Sequence, residues 1–314
     1  MNGKACYLTI ATAVGVAATL ALSPLDAQRS YPSRCGSGIP ATEPAGYIPL
    51  PRGNVFCPLI ADPKAARSFA SYLREQSDSA GTTSPLNLAS VGVGDEFGLG
   101  RWSRTRSGDG VQISLTAGVF AQFDLGTKSY DLLNADYMVG LPVTIRSGWF
   151  STRLRIYHQS SHLGDDFLLR EPPARRNREN LSFESAEWIL SADAGALRAY
   201  AGGEYLFNRS PQDLERYVAH GGVELRPEFR VISLGALGGF RLVAATDLKA
   251  SQEHDWKPSV SARAGFEYDR AGNAELPGRR WGIFFEFYTG PSPYGQFFRE
   301  DVRHIGAGIH FGGV

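Results

Sequence analysis

Two residues in RLRIYHQSSHLGDDF, residues 153–167, could do chemistry together. His158 and Ser160 stand two apart in an alternating stretch. On an extended chain they leave the same face, with Cα atoms about 6.8 Å apart. A serine hydroxyl becomes a competent nucleophile when a base takes its proton, and a third group usually orients that base. The next alternating stretch opens RRNRENLSFES, which offers Asn180 as the first choice for the orienting group and Glu184 as the second. Asp165 and Asp166 follow the pair and are candidate ligands for a divalent cation, or for a cation bridging to lipopolysaccharide; a solvated loop tip is the plainer reading. His158 and His162 also have strand spacing, with no evident third ligand.

The parity of this stretch is unusual. Leu154, Ile156, His158 and Ser160 share one face, and Arg153, Arg155, Tyr157, Gln159 and Ser161 share the other. A nucleophile and a base thus lie on the apolar face, and two arginines on the polar one. Such a division suits a strand in a membrane barrel, where apolar residues meet lipid and charged residues the lumen.

The rest of the chain repeats the pattern. In residues 111–125, Val111, Ile113, Leu115, Ala117, Val119, Ala121, Phe123 and Leu125 oppose Gln112, Ser114, Thr116, Gln122 and Asp124. Strands are predicted at 66–76, 90–104, 110–125, 131–146, 149–163, 179–192, 196–208, 216–227, 238–250, 257–269, 280–290 and 302–312. Runs of about ten residues fit membrane-spanning strands, whereas strands of soluble sandwiches are commonly 5–6 residues. The polar faces carry mid-strand charges of both signs, among them Asp136, Arg198, Glu204, Glu224, Arg241, Arg263 and Glu286. In a barrel these can pair in the lumen; in a sandwich they would form a solvated outer face. The expected fold is all-β, a transmembrane antiparallel up-and-down β-barrel of about 12 strands. The first two strands are the least marked, and without them the count is ten. Either number is even, which puts both ends of the barrel in the periplasm. Tight turns at Ser147-Gly148 and at 193–196 belong on that side, and the loops 164–178, 209–215 and 291–301 on the outer side. The strand at 149–163 then runs outward, and since 9–11 residues cross the membrane, His158 and Ser160 reach the level of the outer leaflet.

The ends of the chain agree with export. Residues 1–27 hold Lys4, an apolar run over 5–22 and Leu25-Asp26-Ala27, the layout of a secretory signal peptide. Residues 28–65, rich in Pro, Gly and Ser, are expected to form an irregular periplasmic segment ahead of a barrel over 66–314. Its two cysteines, Cys35 and Cys57, could form a disulfide in an oxidising compartment, worth roughly 3 kcal/mol by loop closure; two free thiols are the alternative. The chain holds 32 basic and 32 acidic residues, and no basic block suggests nucleic acid. Alternation up to Phe311 is a signal that the barrel-assembly machinery of the Gram-negative envelope reads. Trp256, Tyr294 and Phe297 on outer loops are expected to contribute to an interfacial aromatic girdle.

Several stretches carry a resemblance: ADPKAARSFASY, GVFAQFDL, LLNADYMVGLPVTIR, RLRIYHQSSHLGDDFLLR, NLSFES, GGEYLF, ATDLKASQEHDW and YTGPSPYGQFF. They are similar to family 1207 of the domains of unknown function, from about residue 55 onward. The resemblance implies an envelope location and no activity. Locally, His158-Gln159-Ser160 resembles outer-membrane phospholipase A, where a lipid-facing His-x-Ser works with an Asn of the next strand. Lipid A 3-O-deacylase also places a His-x-Ser toward lipid. The phospholipase continues with Asn-Gly, whereas this chain continues Ser161-His162-Leu163-Gly164.

Two functions therefore stand side by side. One is an outer-leaflet acyl hydrolase acting on outer-membrane lipids through Ser160, His158 and Asn180 or Glu184. The other is a non-enzymatic barrel, either a narrow channel or a structural envelope component.

Overall fold

The computed structural model describes residue 39 and residues 44–77, 85–104, 109–169, 180–227, 229–269 and 280–312. Residues 1–27, expected to form a signal peptide, and Cys35 lie outside the described residues.

The strands are β1 (Gly46–Pro49), β2 (Ser68–Ser77), β3 (Leu86–Ser103), β4 (Gly110–Asp124), β5 (Leu132–Ser147), β6 (Phe150–Leu163) and β7 (Ser182–Ala194). They continue with β8 (Leu197–Ser210), β9 (Tyr217–Leu225), β10 (Ile232–Ser233), β11 (Gly239–Ser251), β12 (Pro258–Asp269), β13 (Arg280–Pro291) and β14 (Asp301–Gly312). Each long strand pairs antiparallel with its sequence neighbour, β14 returns to β2, and β3 pairs β4 to close the ring. Among the described residues the wall thus has twelve strands, β2 to β9 and β11 to β14. The two least marked strands of the sequence are both present. No described helix is long and apolar enough to cross a membrane; a barrel crosses with its strands.

Parity holds through the wall. On β6, Arg153, Arg155, Gln159 and Ser161 are buried, while Leu154 is 49% and Ile156 62% exposed. Elsewhere Arg101, Gln112, Glu187 and Glu224 are among the most deeply buried side chains, and Val93, Phe285 and Ile305 among the exposed apolar ones. This inverts the arrangement of a soluble protein. Gly148 and Gly195 take φ of +59° and +62° in the two tight turns, a conformation that glycine adopts without steric cost.

The segment expected in the periplasm is where the structure departs most from the sequence reading. Strand β1 pairs with residues 100–103 of β3, and β2 pairs with residues 86–92 of the same strand. The two are pieces of one interrupted wall strand. Between them residues 50–67 turn inward and fill the lumen, with Val55, Cys57, Leu59 and Ala61 fully buried. A chain without a regular ladder still has to satisfy its backbone groups, and here the wall supplies the partners. Arg101 donates through Nη2 to the carbonyls of Arg52 (2.6 Å) and Gly53 (2.8 Å). Arg146 Nε donates to Val55 O (2.9 Å), Arg198 Nη1 to Cys57 O (3.0 Å) and Arg263 Nη1 to Ile60 O (2.7 Å). Ile60 N donates to Glu224 Oε1 at 2.7 Å. The Phe56 ring lies between the guanidiniums of Arg153 and Arg198, 4.9 and 4.6 Å from its centroid, a favourable arrangement of cation and ring face. Cys57 is disulfide-bonded.

The girdle expectation holds only in part. Trp256 is exposed, but Tyr294 and Phe297 are buried. The connection between β13 and β14 folds into the barrel mouth, and Phe297 packs edge-on against Phe167 with centroids 6.0 Å apart. Exposed aromatic residues do occur at the strand ends, including Tyr47 and Trp102 on one side and Tyr205 and Tyr217 on the other.

Arg101 tests the internal segment. Replacing it with Ala removes the donors to the Arg52 carbonyl and to Gln112 Oε1, which Arg101 Nε bonds at 2.9 Å, and leaves the Gly53 carbonyl only the longer bond from Gln112 Nε2 at 3.3 Å. At about 1–3 kcal/mol for each buried group left unsatisfied, Arg101→Ala should lower stability by roughly 3 kcal/mol or more. A urea titration of the vesicle-inserted barrel should show a clearly lowered midpoint; an unchanged one would mean the segment is not held in this way.

Candidate functional site

Strands β6 and β7 place the sequence-predicted residues. Their register sets His158 opposite Glu184 and Ser160 opposite Ser182. His158 Nδ1 and Glu184 Oε1 are 3.1 Å apart, with side chains 41% and 27% exposed. The pair lies on the outer wall, on the face of Leu154 and Ile156. His158 Nε2 makes no hydrogen bond among the described residues, and neither does the Ser160 hydroxyl. A proton on Nδ1, held by the carboxylate, leaves Nε2 as the basic nitrogen, the tautomer that a general base needs. Ser160 is three residues from the end of β6 and Ser182 is the first residue of β7, so the site sits near one rim.

Of the two orienting groups considered, Glu184 is the one brought to His158. Asn180 precedes β7, is exposed, and does not meet His158. The reason is register: the residue directly across from His158 is four positions further along than Asn180. Asp165 and Asp166 lie in a single helical turn, Asp165–Leu168, and both are exposed. Neither they nor the pair His158 and His162 join a group of three possible ligands among the described residues. His162 instead stands edge-on to Tyr137 at 5.7 Å.

Sequence reasoning missed a second constellation, inside the lumen. Asp136 accepts hydrogen bonds from Asn134 Nδ2 (2.9 Å), Gly295 N (3.1 Å to Oδ2), the Ser161 hydroxyl and Lys64 Nζ. Gln296 N donates to Asn134 Oδ1 (3.1 Å), and Gln296 Nε2 to Ser161 O (2.9 Å). One carboxylate therefore ties together the wall, the internal segment and the loop that folds over the mouth. Beside it lies a cavity of about 180 Å³ lined by Lys64, Arg155, Tyr157, Glu204, Lys249 and Tyr288. Its charges are matched: Arg155 Nη2 to Glu187 at 2.7 Å, and Lys249 to Asp62 at 3.1 Å. Glu187, Glu204 and His220 have ligand atoms within 4.8 Å of one another. Arg153 and Arg155 already occupy both oxygens of Glu187, Tyr157 and Ser185 donate to Glu204, and His220 Nε2 meets Asp247 at 2.7 Å. The cluster is a buried ion-pair network in which both oxygens of Glu187 and Nε2 of His220 are engaged, while His220 Nδ1 is left without a hydrogen bond. Several stretches that carry the family resemblance, including ADPKAARSFASY, LLNADYMVGLPVTIR and YTGPSPYGQFF, meet around Asp136. Their convergence was the one available signal, and it needed the tertiary structure to be read.

Comparison with known proteins fits this architecture. Residues 25–312 match the family described as protein of unknown function (DUF1207). The chain belongs to that family. No curated protein matches it. Among solved structures it is similar to outer membrane phospholipase A from Escherichia coli, with a TM-score of 0.52 at 10% identity, covering 88% of this chain and 97% of that one. An active-site mutant of that enzyme gives a TM-score of 0.53 at 9% identity, covering 89% and 98%. The Salmonella typhi phospholipase dimer with bound calcium gives 0.51 at 10%, covering 80% and 93%. At these identities the likeness is one of fold: a closed antiparallel barrel of the outer-membrane type.

Gly295 tests the luminal hub. A Cβ there would lie 2.7 Å from the Ser161 Cβ and hydroxyl, too close for the loop to keep its seat. Gly295→Val should expel residues 292–300 from the mouth and make them a protease-sensitive site, with the barrel itself still folded. Unchanged resistance in limited proteolysis would show that the loop is not held through this contact.

Proposed function

We propose that this protein is an outer-membrane barrel that hydrolyses acyl esters of outer-leaflet lipids at Ser160, with His158 as base and Glu184 as the group that orients it. The observation that carries the reading is the pairing of His158 with Glu184 across β6 and β7, beside Ser160, on the wall that faces lipid. The names of the similar structures point to the same substrate class.

In this mechanism Ser160 Oγ attacks the ester carbonyl carbon while His158 Nε2 accepts the hydroxyl proton. The carbon–oxygen bond of the ester breaks, and the imidazolium gives its proton to the departing alkoxide. Water, deprotonated by the same nitrogen, then attacks the acyl-serine. Fatty acid leaves and the Ser160 hydroxyl is restored. Glu184 keeps the imidazole in the required tautomer and offsets its positive charge during each transfer, the part an acidic residue plays in triads of this kind. The loop-rich rim would be the outer one, which brings ester groups to the site at the level where head groups meet acyl chains. The lumen filled by residues 50–67 weighs against conduction as the main activity.

Two experiments test the reading. Mature protein should fractionate with the outer membrane and migrate in a heat-dependent way on gels; recovery from the soluble periplasm would defeat it. Purified barrel should release fatty acid from mixed micelles of phospholipid or lipopolysaccharide. Ser160→Ala and His158→Ala should each lower turnover by several orders of magnitude, as removal of a triad nucleophile or base does. Glu184→Ala should cost less, and Asn180→Ala close to nothing. Equal release by Ser160→Ala and the unaltered protein would exclude Ser160 as nucleophile.

A further inference from the structure

The outer wall is not evenly covered. A trough of about 740 Å³ begins at His158 and crosses β5, β4 and β3 toward Phe311. Ala117 and the backbone of Gly94 and Gly118 keep its floor low. Val93, Phe97, Val119 and Val139, all exposed, form its sides. Asp95 is the acidic interruption of this lining, and its Oδ1 accepts from Glu96 N at 2.8 Å.

The direction of the trough follows from register. Ser160 faces Tyr137, Tyr137 faces Val119, and Val119 faces Val93. On the far side of the gap in the wall strand, Ser68 faces Phe311. Ser160 is near the rim end of β6, whereas Phe311 is the penultimate residue of β14, at that strand's opposite end. Stepping sideways along the hydrogen bonds therefore also descends into the apolar band. Five strand spacings of about 4.8 Å make about 24 Å. With strands tilted about 45°, the drop is about 17 Å, close to one leaflet's share of an about 30 Å hydrocarbon core.

We propose that this trough seats a single acyl chain of a membrane lipid, its ester end at His158 and its tail toward Phe311. The inference takes the position of the ester from the proposed hydrolase, but the seat itself rests on the shape and lining of the wall. The occupant is an acyl chain because the trough opens on the lipid-facing side, is apolar over most of its length and slants inward from head-group level as a chain in the leaflet does. A seat of this kind would select lipids by chain length, because a chain longer than the trough must leave it beyond Phe311.

The seat can be tested without turnover. Ser160→Ala protein is placed in phosphatidylcholine vesicles containing a phosphatidylcholine with a diazirine in mid-chain, irradiated, and mapped by mass spectrometry. Peptides holding Val93, Val119 and Phe311 should carry several-fold more label than those holding Leu242 and Ile283, which are exposed elsewhere on the wall. Ala117→Trp fills the floor and should bring this excess down to the level of the rest of the wall. Val93→Trp serves the same purpose if the first variant does not assemble. Even labelling around the barrel, or an excess that survives both substitutions, overturns the seat. Fatty-acid release, measured separately with Ser160 in place, divides the two readings. Excess labelling without release keeps the seat and removes the hydrolase; release with even labelling does the reverse.

Discussion

A backbone amide or carbonyl inside hydrocarbon has no water to bond, and each one left unpaired costs several kcal/mol. Everything else in this molecule depends on that constraint. The pairing of β3 with β4 turns an open sheet into a ring, and β14 meets β2 to complete it. Among the described residues the wall is interrupted between β1 and β2, where the chain leaves it for the lumen. There the edge is partly covered by the departing chain itself, with Leu50 N donating to Leu99 O at 3.2 Å.

Closing the ring fixes the interior. Side chains of one parity point into a space sealed from lipid, and the sequence fills it with charges of both signs. Buried charges are tolerable when paired and hydrogen-bonded, and the pairs are present: Arg153 and Arg155 on Glu187, Arg198 on Glu224, Arg263 on Glu286. Arg198 and Arg263 have donors to spare, and these meet the carbonyls of Cys57 and Ile60 in the internal segment. The segment is apolar where it touches Ile189, Tyr200, Val243 and Phe284, and backbone-polar where it meets the guanidiniums. Asp136 then joins the segment to the loop over the mouth, so lumen and mouth are closed by one connected network.

The exterior carries the candidate chemistry because it is the surface least in need of polar groups. His158, Glu184 and Ser160 stand where apolar residues would serve the barrel equally well or better. Near the rim such exceptions are inexpensive, so their presence there is compatible with a task and does not endanger the fold. The small residues at 117 and 118 similarly leave the wall thinner than packing against lipid requires. Site and trough share His158 on β6; the register of β6 with β7 sets the site, and those of β6 with β5, β5 with β4 and β4 with β3 set the trough.

Period-two alternation was enough to read a barrel of about twelve strands with ten left open, the boundaries to within a few residues and the face of every residue in RLRIYHQSSHL. The reason is local: consecutive side chains of a strand point to opposite sides, and only one side of a barrel strand can meet lipid. The sequence also confined the orienting group to the start of the next strand, but the choice of Glu184 over Asn180 depends on register, which alternation leaves free by steps of two. The internal segment was illegible for a related reason. Residues 50–67 have no period, and the partners that hold them, such as Glu224 for Ile60 and Arg263 for its carbonyl, are 164 and 203 positions away. Tyr294 and Phe297 were misread as a girdle because an aromatic residue in a loop looks the same whether the loop turns outward or in. Local pattern determined which way each strand residue faces. Only closure of the ring, with its stagger, decided which residues meet across it.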